Sequence, residues 1–208
     1  MIASAVDDEN RNKRLAQTFI NIAKANGKQP RSEDIDGVVT YIRDYIEYVP
    51  ALLEATVAAA QKAGIAGQVL PILQAAEQYF LNPNDLIPDH LGLLGLMDDA
   101  YLTLSLIQAI SRSYQQQSGT PLVSVDLSAA NNSMRALIGE PLATQLDQGV
   151  IRTLQMQQIQ QAIRQLTGFG ATLPLSSLMH ASNLMQSQLN SHQMDNWVNT
   201  QLGSLGIL

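Results

Sequence analysis

Apolar positions along this chain recur mostly at spacings of three and four, the period of a helix buried along one face. Leu15, Phe19 and Ile22 form the first such stripe and predict a helix over Asp8–Asn26, ended by Gly27 and Pro30. Ile35, Val38, Val39, Ile42, Ile46 and Val49 form the next. Ser32 is its expected N-cap, and Glu33, Asp34 and Asp36 follow in a first turn that favours negative charge. Pro50 suits the first position of a further helix with the stripe Leu52, Leu53, Val57 and Ala60, ended by Gly64. A fourth helix is expected from Gln68 to Leu81, with Pro71 tolerated near its start.

Asn82–Pro88 breaks the pattern with two prolines and an Asn-Asp pair. A short helix over Asp89–Leu94, ended by Gly95, and a longer one over Met97–Gln116 follow, the latter with Leu102, Leu106 and Ile110 on one face. Gln115–Pro121 reads as an exposed turn or linker. Val123–Val125 suits a short extended piece, and Asp126 an N-cap for a helix over Leu127–Ile138. Pro141 opens a helix running through Leu166, with Leu142, Leu146, Val150 and Leu154 four apart. Helices over Ser176–Asn190 and over His192–Leu202, which carries Trp197, complete the pattern. No long strand alternation and no internal repeat occurs. The expected fold is therefore all-α, an orthogonal bundle of about seven to nine helices with a Pro/Asp-rich helical corner. The expected division is an N-terminal basic helix (1–30), a helical domain around the corner (31–117) and a Gln-rich region (118–208) sharing one core with it.

Composition narrows the function. Apolar residues make up 46% of the 208 positions and aromatics only 5%, so aliphatic side chains must fill the core, a diet that suits helices. The net charge of −6 disfavours a broad basic face for nucleic acid. Charge is uneven: Arg31–Ser111 holds 3 basic and 11 acidic residues, whereas the first 28 residues hold 5 basic and 3 acidic. From Leu122 onward only seven residues are charged, and amides take over the polar faces, which suits helix-to-helix packing without desolvating charge. The absence of cysteine excludes disulfides, thiolate zinc sites and cysteine nucleophiles. Met1–Glu9 lacks the pattern of a signal peptide, and the longest apolar run, Leu91–Met97, is interrupted by glycine and falls short of the ~20 residues of a span. The expected location is cytoplasmic.

One segment stands apart. Tyr79, Pro83, Asp85, Leu86, Ile87, Pro88 and Asp89 are followed by an apolar stretch to Gly95 and then by Asp98 and Asp99. In residue type and spacing this resembles the YkvA-like proteins, over about Leu73 to Ile110. It departs from their pattern at His90 and Gly92, where an apolar residue and a proline are more usual. That family has no assigned activity and includes many membrane-associated members. The resemblance thus implies a structural unit rather than a reaction.

Read from the residues themselves, each aspartate has a structural use. Pro83 and Pro88 stop one helix and fix the entry to the next. Asp85 suits an Asx-turn or cap, while Asp89, Asp98 and Asp99 fall in first turns, where a carboxylate meets the helix dipole. The competing reading is a divalent-cation site for Mg²⁺, Mn²⁺ or Ca²⁺ on Asp85, Asp89 and one of Asp98 or Asp99, with Glu77, Tyr79 and His90 as auxiliaries. Neighbouring residues on a helix point about 100° apart, so Asp98 and Asp99 do not readily share one ion. Capping accounts for all four carboxylates and is favoured. His180 and His192 make no ligand pair, and no Walker loop or nucleophile elbow occurs. The chain reads as a non-enzymatic scaffold or interaction module with a protein partner or a second copy. A metal-dependent hydrolase or metal-binding protein is the alternative, and peripheral membrane association through Leu91–Met97 the third.

Overall fold

The computed structural model describes residues 1–80 and 89–166, without the side chains of 78–80, 89, 90 and 156–166. The helices expected over Ser176–Asn190 and His192–Leu202, with Trp197, His180 and His192, lie outside the described residues. Within them the chain is all-α: seven helices and one short 3-10 segment, with no strand. The helices are α1 (Ile2–Asn12), α2 (Arg14–Ala25), α3 (Ser32–Lys62), α4 (Ala66–Phe80), α5 (Met97–Ser118), α6 (Ser128–Ile138) and α7 (Leu142–Leu166), and the 3-10 segment is Asp89–Leu94.

The first predicted helix is in fact two. Lys13 adopts a left-handed conformation (φ 49°) and breaks the run between α1 and α2. Glu9 makes the break affordable. Its buried carboxylate accepts the backbone N–H groups of Leu15 at 2.8 Å and Ala16 at 3.0 Å, so α1 caps α2 in the way a free N-cap side chain would. Gly27 (φ +72°) ends the pair of helices as its position suggests.

A second departure runs the other way. Pro50 does not open a helix but sits inside α3, which continues unbroken for 31 residues. Proline removes one backbone donor there. The stripes on its two sides nevertheless fall in phase: Ile42, Ile46, Val49, Leu52 and Ala60 are all buried, so core packing on one continuous face outweighs the local cost. The start of α3 also differs by one residue. Arg31 occupies the cap position, and Asp34 accepts its backbone N–H at 3.4 Å, its Nε at 3.1 Å and its Nη2 at 2.8 Å.

α5 forms the centre. It packs against α3, α4, α6 and α7, and its residues from Met97 to Leu104 are buried without interruption. The expected single face of Leu102, Leu106 and Ile110 is therefore part of a nearly all-round burial. This helix and its approach, Leu91–Ser118, are long and apolar enough to cross a membrane by length and composition, contrary to the shorter run inferred above. In the fold, 78% of its most apolar window is buried inside the bundle, the place of a core helix. One hydrophobic cluster joins residues of all seven helices, from Ala5 to Val150.

Around this core, Gly119 (φ +79°) ends α5, and residues 121–127 form bends rather than a strand. Asp126 accepts the N–H of Ser128 at 2.9 Å and also its hydroxyl, the capping role expected of it, although α6 starts at Ser128.

Candidate functional site

The 3-10 segment and the first turn of α5 make the corner. Gly92 has φ +71° and ψ −132°, a backbone conformation open to glycine, and it kinks the segment in the middle. Leu93, Leu96 and Met97 are each 1% exposed and anchor the turn in the core. Backbone bonds from Gly95 N–H to Gly92 O (3.1 Å) and from Leu96 N–H to Leu93 O (3.3 Å) close it.

α1 lies on this corner. A Cβ added at Gly92 would sit 3.2 Å from Asp8 Oδ2 and 3.8 Å from the carbonyl of Ala5. Glycine thus serves twice here, for its dihedral angles and for the close approach of α1. The departure of Gly92 from the YkvA-like pattern marks the point where the N-terminal helix is seated.

Asp98 and Asp99, the second and third residues of α5, are both 0% exposed. Their side chains diverge around the helix, yet solvent reaches neither, because neighbours enclose α5 on nearly every side. Both keep the first-turn position that favours a carboxylate. Glu77, an expected auxiliary, is exposed on α4. Gly95 is buried in the turn. Pro83, Asp85 and Pro88 lie outside the described residues, as do the side chains of Tyr79, Asp89 and His90. Among the described residues, no group of three His, Cys, Asp or Glu side chains is placed to hold a metal ion.

Two polar ties escaped the sequence reading. Tyr101 on α5 donates to Asp147 Oδ1 on α7 at 2.6 Å, and Arg135 on α6 donates Nε to Asp147 Oδ2 at 2.9 Å and Nη2 to Glu140 at 2.7 Å. Burial and then the bond to Asp147 push the Tyr101 phenol well above its ordinary pKa. Thr144 first and Arg135 second hold the Glu140 carboxyl below its ordinary value. In the second tie, Tyr45 on α3 donates to Asn131 Oδ1 at 2.6 Å, and Asn131 Nδ2 donates to Gln108 on α5 at 2.6 Å. Burial raises the Tyr45 phenol well above its ordinary pKa. Buried tyrosine hydroxyls need partners, so Tyr45 and Tyr101 were the available signal of polar ties between helices.

The geometry of the corner coincides with the result of comparison. Residues 74–104 match the family described as Protein of unknown function (DUF1232). This is the YkvA-like family, and the match covers a partial segment of the chain, from the second half of α4 to the second turn of α5. No curated protein and no solved structure matches the chain. The YkvA-like segment thus spans the kink at Gly92, the buried aspartates and the entry to the central helix. What it contributes chemically, in the described residues, is a pair of enclosed carboxylates and a fixed change of chain direction.

Proposed function

We propose that the protein is a non-enzymatic helical scaffold, an interaction module in which the YkvA-like segment sets the corner that positions the central helix. The observation that carries this reading is the complete burial of Asp98 and Asp99 within the bundle. Carboxylates shut off from solvent at the start of the central helix serve its packing; general acid–base work calls for a group that meets substrate in an opening. The partner-binding face in this reading is the outer side of α7. There Ile151 is 52% exposed, with the amides of Gln148 and Gln155 at the neighbouring helical positions and the charges of Asp147 and Arg152 at its edge, an apolar contact inside a polar rim. Cross-linking and sedimentation of the full chain test it. Self-association or capture of a protein partner that Ile151→Glu weakens at least about tenfold supports the reading. A chain that stays monomeric and takes no partner overturns it.

The burial of Asp98 and Asp99 leaves room for a second reading, a divalent cation held by one of them together with Asp85 and Asp89. Titration calorimetry with Mg²⁺, Mn²⁺ and Ca²⁺ decides it. Saturable binding lost in Asp85→Asn and in one of Asp98→Asn or Asp99→Asn sustains the metal reading, and no binding of any of the three ions removes it.

A further inference from the structure

We propose that this chain dimerises by exchanging its first helix: the bend at Lys13 straightens, α1 and α2 join into one helix, and α1 of each copy takes the seat beside Gly92 on the other. The bend itself points to this. Among the described residues, Lys13 alone of the non-glycines has a positive φ (φ 49°, ψ 40°), a left-handed conformation that residues with side chains seldom hold. Nothing in the local sequence asks for it. From Asp8 to Gln17 the chain has no glycine, no proline and no β-branched residue, a composition that suits an unbroken helix. A single strained residue between two helices is a hinge that invites exchange.

The backbone hydrogen bonds permit both forms. Lys13 N–H donates to Glu9 O at 2.8 Å, and Gln17 N–H donates to Lys13 O at 2.9 Å. Both bonds already have the four-residue spacing of an α-helix and persist when the bend opens. Between them, the N–H groups of Leu15 and Ala16 donate to the Glu9 carboxylate. In a continuous helix the carbonyls of Arg11 and Asn12 accept those same two N–H groups. Straightening thus substitutes one pair of acceptors for another, returns the buried Glu9 carboxylate to water and relieves the backbone at Lys13. The ion pair between Arg14 and Asp8, at 3.5 Å, is given up, a small loss for a pair near the surface.

The seat decides the occupant. Ala5 is buried, Ile2 and Val6 are partly buried against the core, and Asp8 and Ala5 close on the notch at Gly92. An α1 that merely swings outward loses these contacts and leaves the 3-10 segment without its cover. An α1 from a second copy restores them, because the notch and the helix that fits it are the same in every copy. Two helices exchanged between two seats make a closed two-fold dimer. The inference goes beyond the scaffold reading and uses the corner, not α7.

Sedimentation of the full chain after refolding from urea at about 500 µM tests it, with circular dichroism to verify folding. The expected result is a dimer whose association constant Lys13→Gly lowers about tenfold or more, since glycine accepts the bend, weakens a continuous helix, and counts twice in the dimer. Glu9→Ala raises it, since the acceptor it removes serves only the bent form. Ile2→Asp with Val6→Asp abolishes the dimer, since it spoils the exchanged helix. Lys13→Gly decides alone should Glu9→Ala not fold. A full chain that stays monomeric overturns the proposal. So does a dimer that responds to neither hinge substitution, and if Ile151→Glu breaks that dimer the α7 reading stands without this one.

Discussion

Gly92 concentrates the local demands of the corner in one residue. Its backbone angles are those glycine reaches without penalty, and the missing side chain admits Asp8 and Ala5 of α1. Gly92→Ala is expected to cost about 1–3 kcal/mol from the backbone alone. In urea denaturation the midpoint should fall with little change in slope. Adding Asp8→Ala should recover only the part due to the contact, since the dihedral cost remains. Full recovery would show that the backbone angle carries no cost. Glu9 is the other residue whose role depends on a neighbour. Glu9→Ala leaves the N–H groups of Leu15 and Ala16 without their acceptor and should cost about 1–3 kcal/mol in the same assay. Neither role was legible in the sequence, where Glu9 read as one charge at the start of a single helix over Asp8–Asn26.

At the scale of elements, α3 sets the lesson. Proline inside a helix is unfavourable by about 3 kcal/mol relative to alanine, yet α3 passes through Pro50 because the buried stripe on both sides belongs to one face. Pro50→Ala is therefore expected to stabilise the protein by about 1 kcal/mol or more, read as a rise in thermal midpoint. A fall would mean that the proline sets a bend the bundle needs. The helices around the corner were more legible. Gly95 and Gly64 stop their elements where the pattern placed them, and the short segment Asp89–Leu94 has its expected bounds. Boundaries set by glycine are local and so are written in the sequence. The α1–α2 break depends on a cap supplied from six residues upstream, and the persistence of α3 on tertiary packing.

For the whole molecule, ionisable side chains held by partners or by burial define a pH window of stability. Hydrogen bonds from Arg31 hold the Asp34 carboxyl below its ordinary value. Its contribution is complete above about pH 4 and is lost as pH falls through the lowered value. Asp34→Asn should flatten that acid limb. At the alkaline end the Tyr45 and Tyr101 phenols are raised by burial. The unfolded chain releases these protons near pH 10 while the folded chain keeps them, so stability falls as pH rises above about 10. Tyr101→Phe should remove part of this alkaline loss and lower stability at neutral pH by about 1 kcal/mol, since Asp147 keeps Arg135 as a partner. Denaturant midpoints measured across pH for the three proteins test both limbs.

The sequence by itself determined that this chain is helical, where glycine stops most of its described helices, and that one Pro/Asp-rich segment carries the resemblance to the YkvA-like family. These follow from periodicity, turn chemistry and motif spacing, each readable within a few residues. Only the tertiary structure decided that Asp98 and Asp99 are both enclosed, that α5 is a central rather than a one-faced helix, and that α1 rests on Gly92. It also decided that Tyr101, Asp147 and Arg135 meet. Each of these depends on which surfaces distant segments bury together. A periodic pattern tells which face of a helix is apolar, but not how many neighbours surround it.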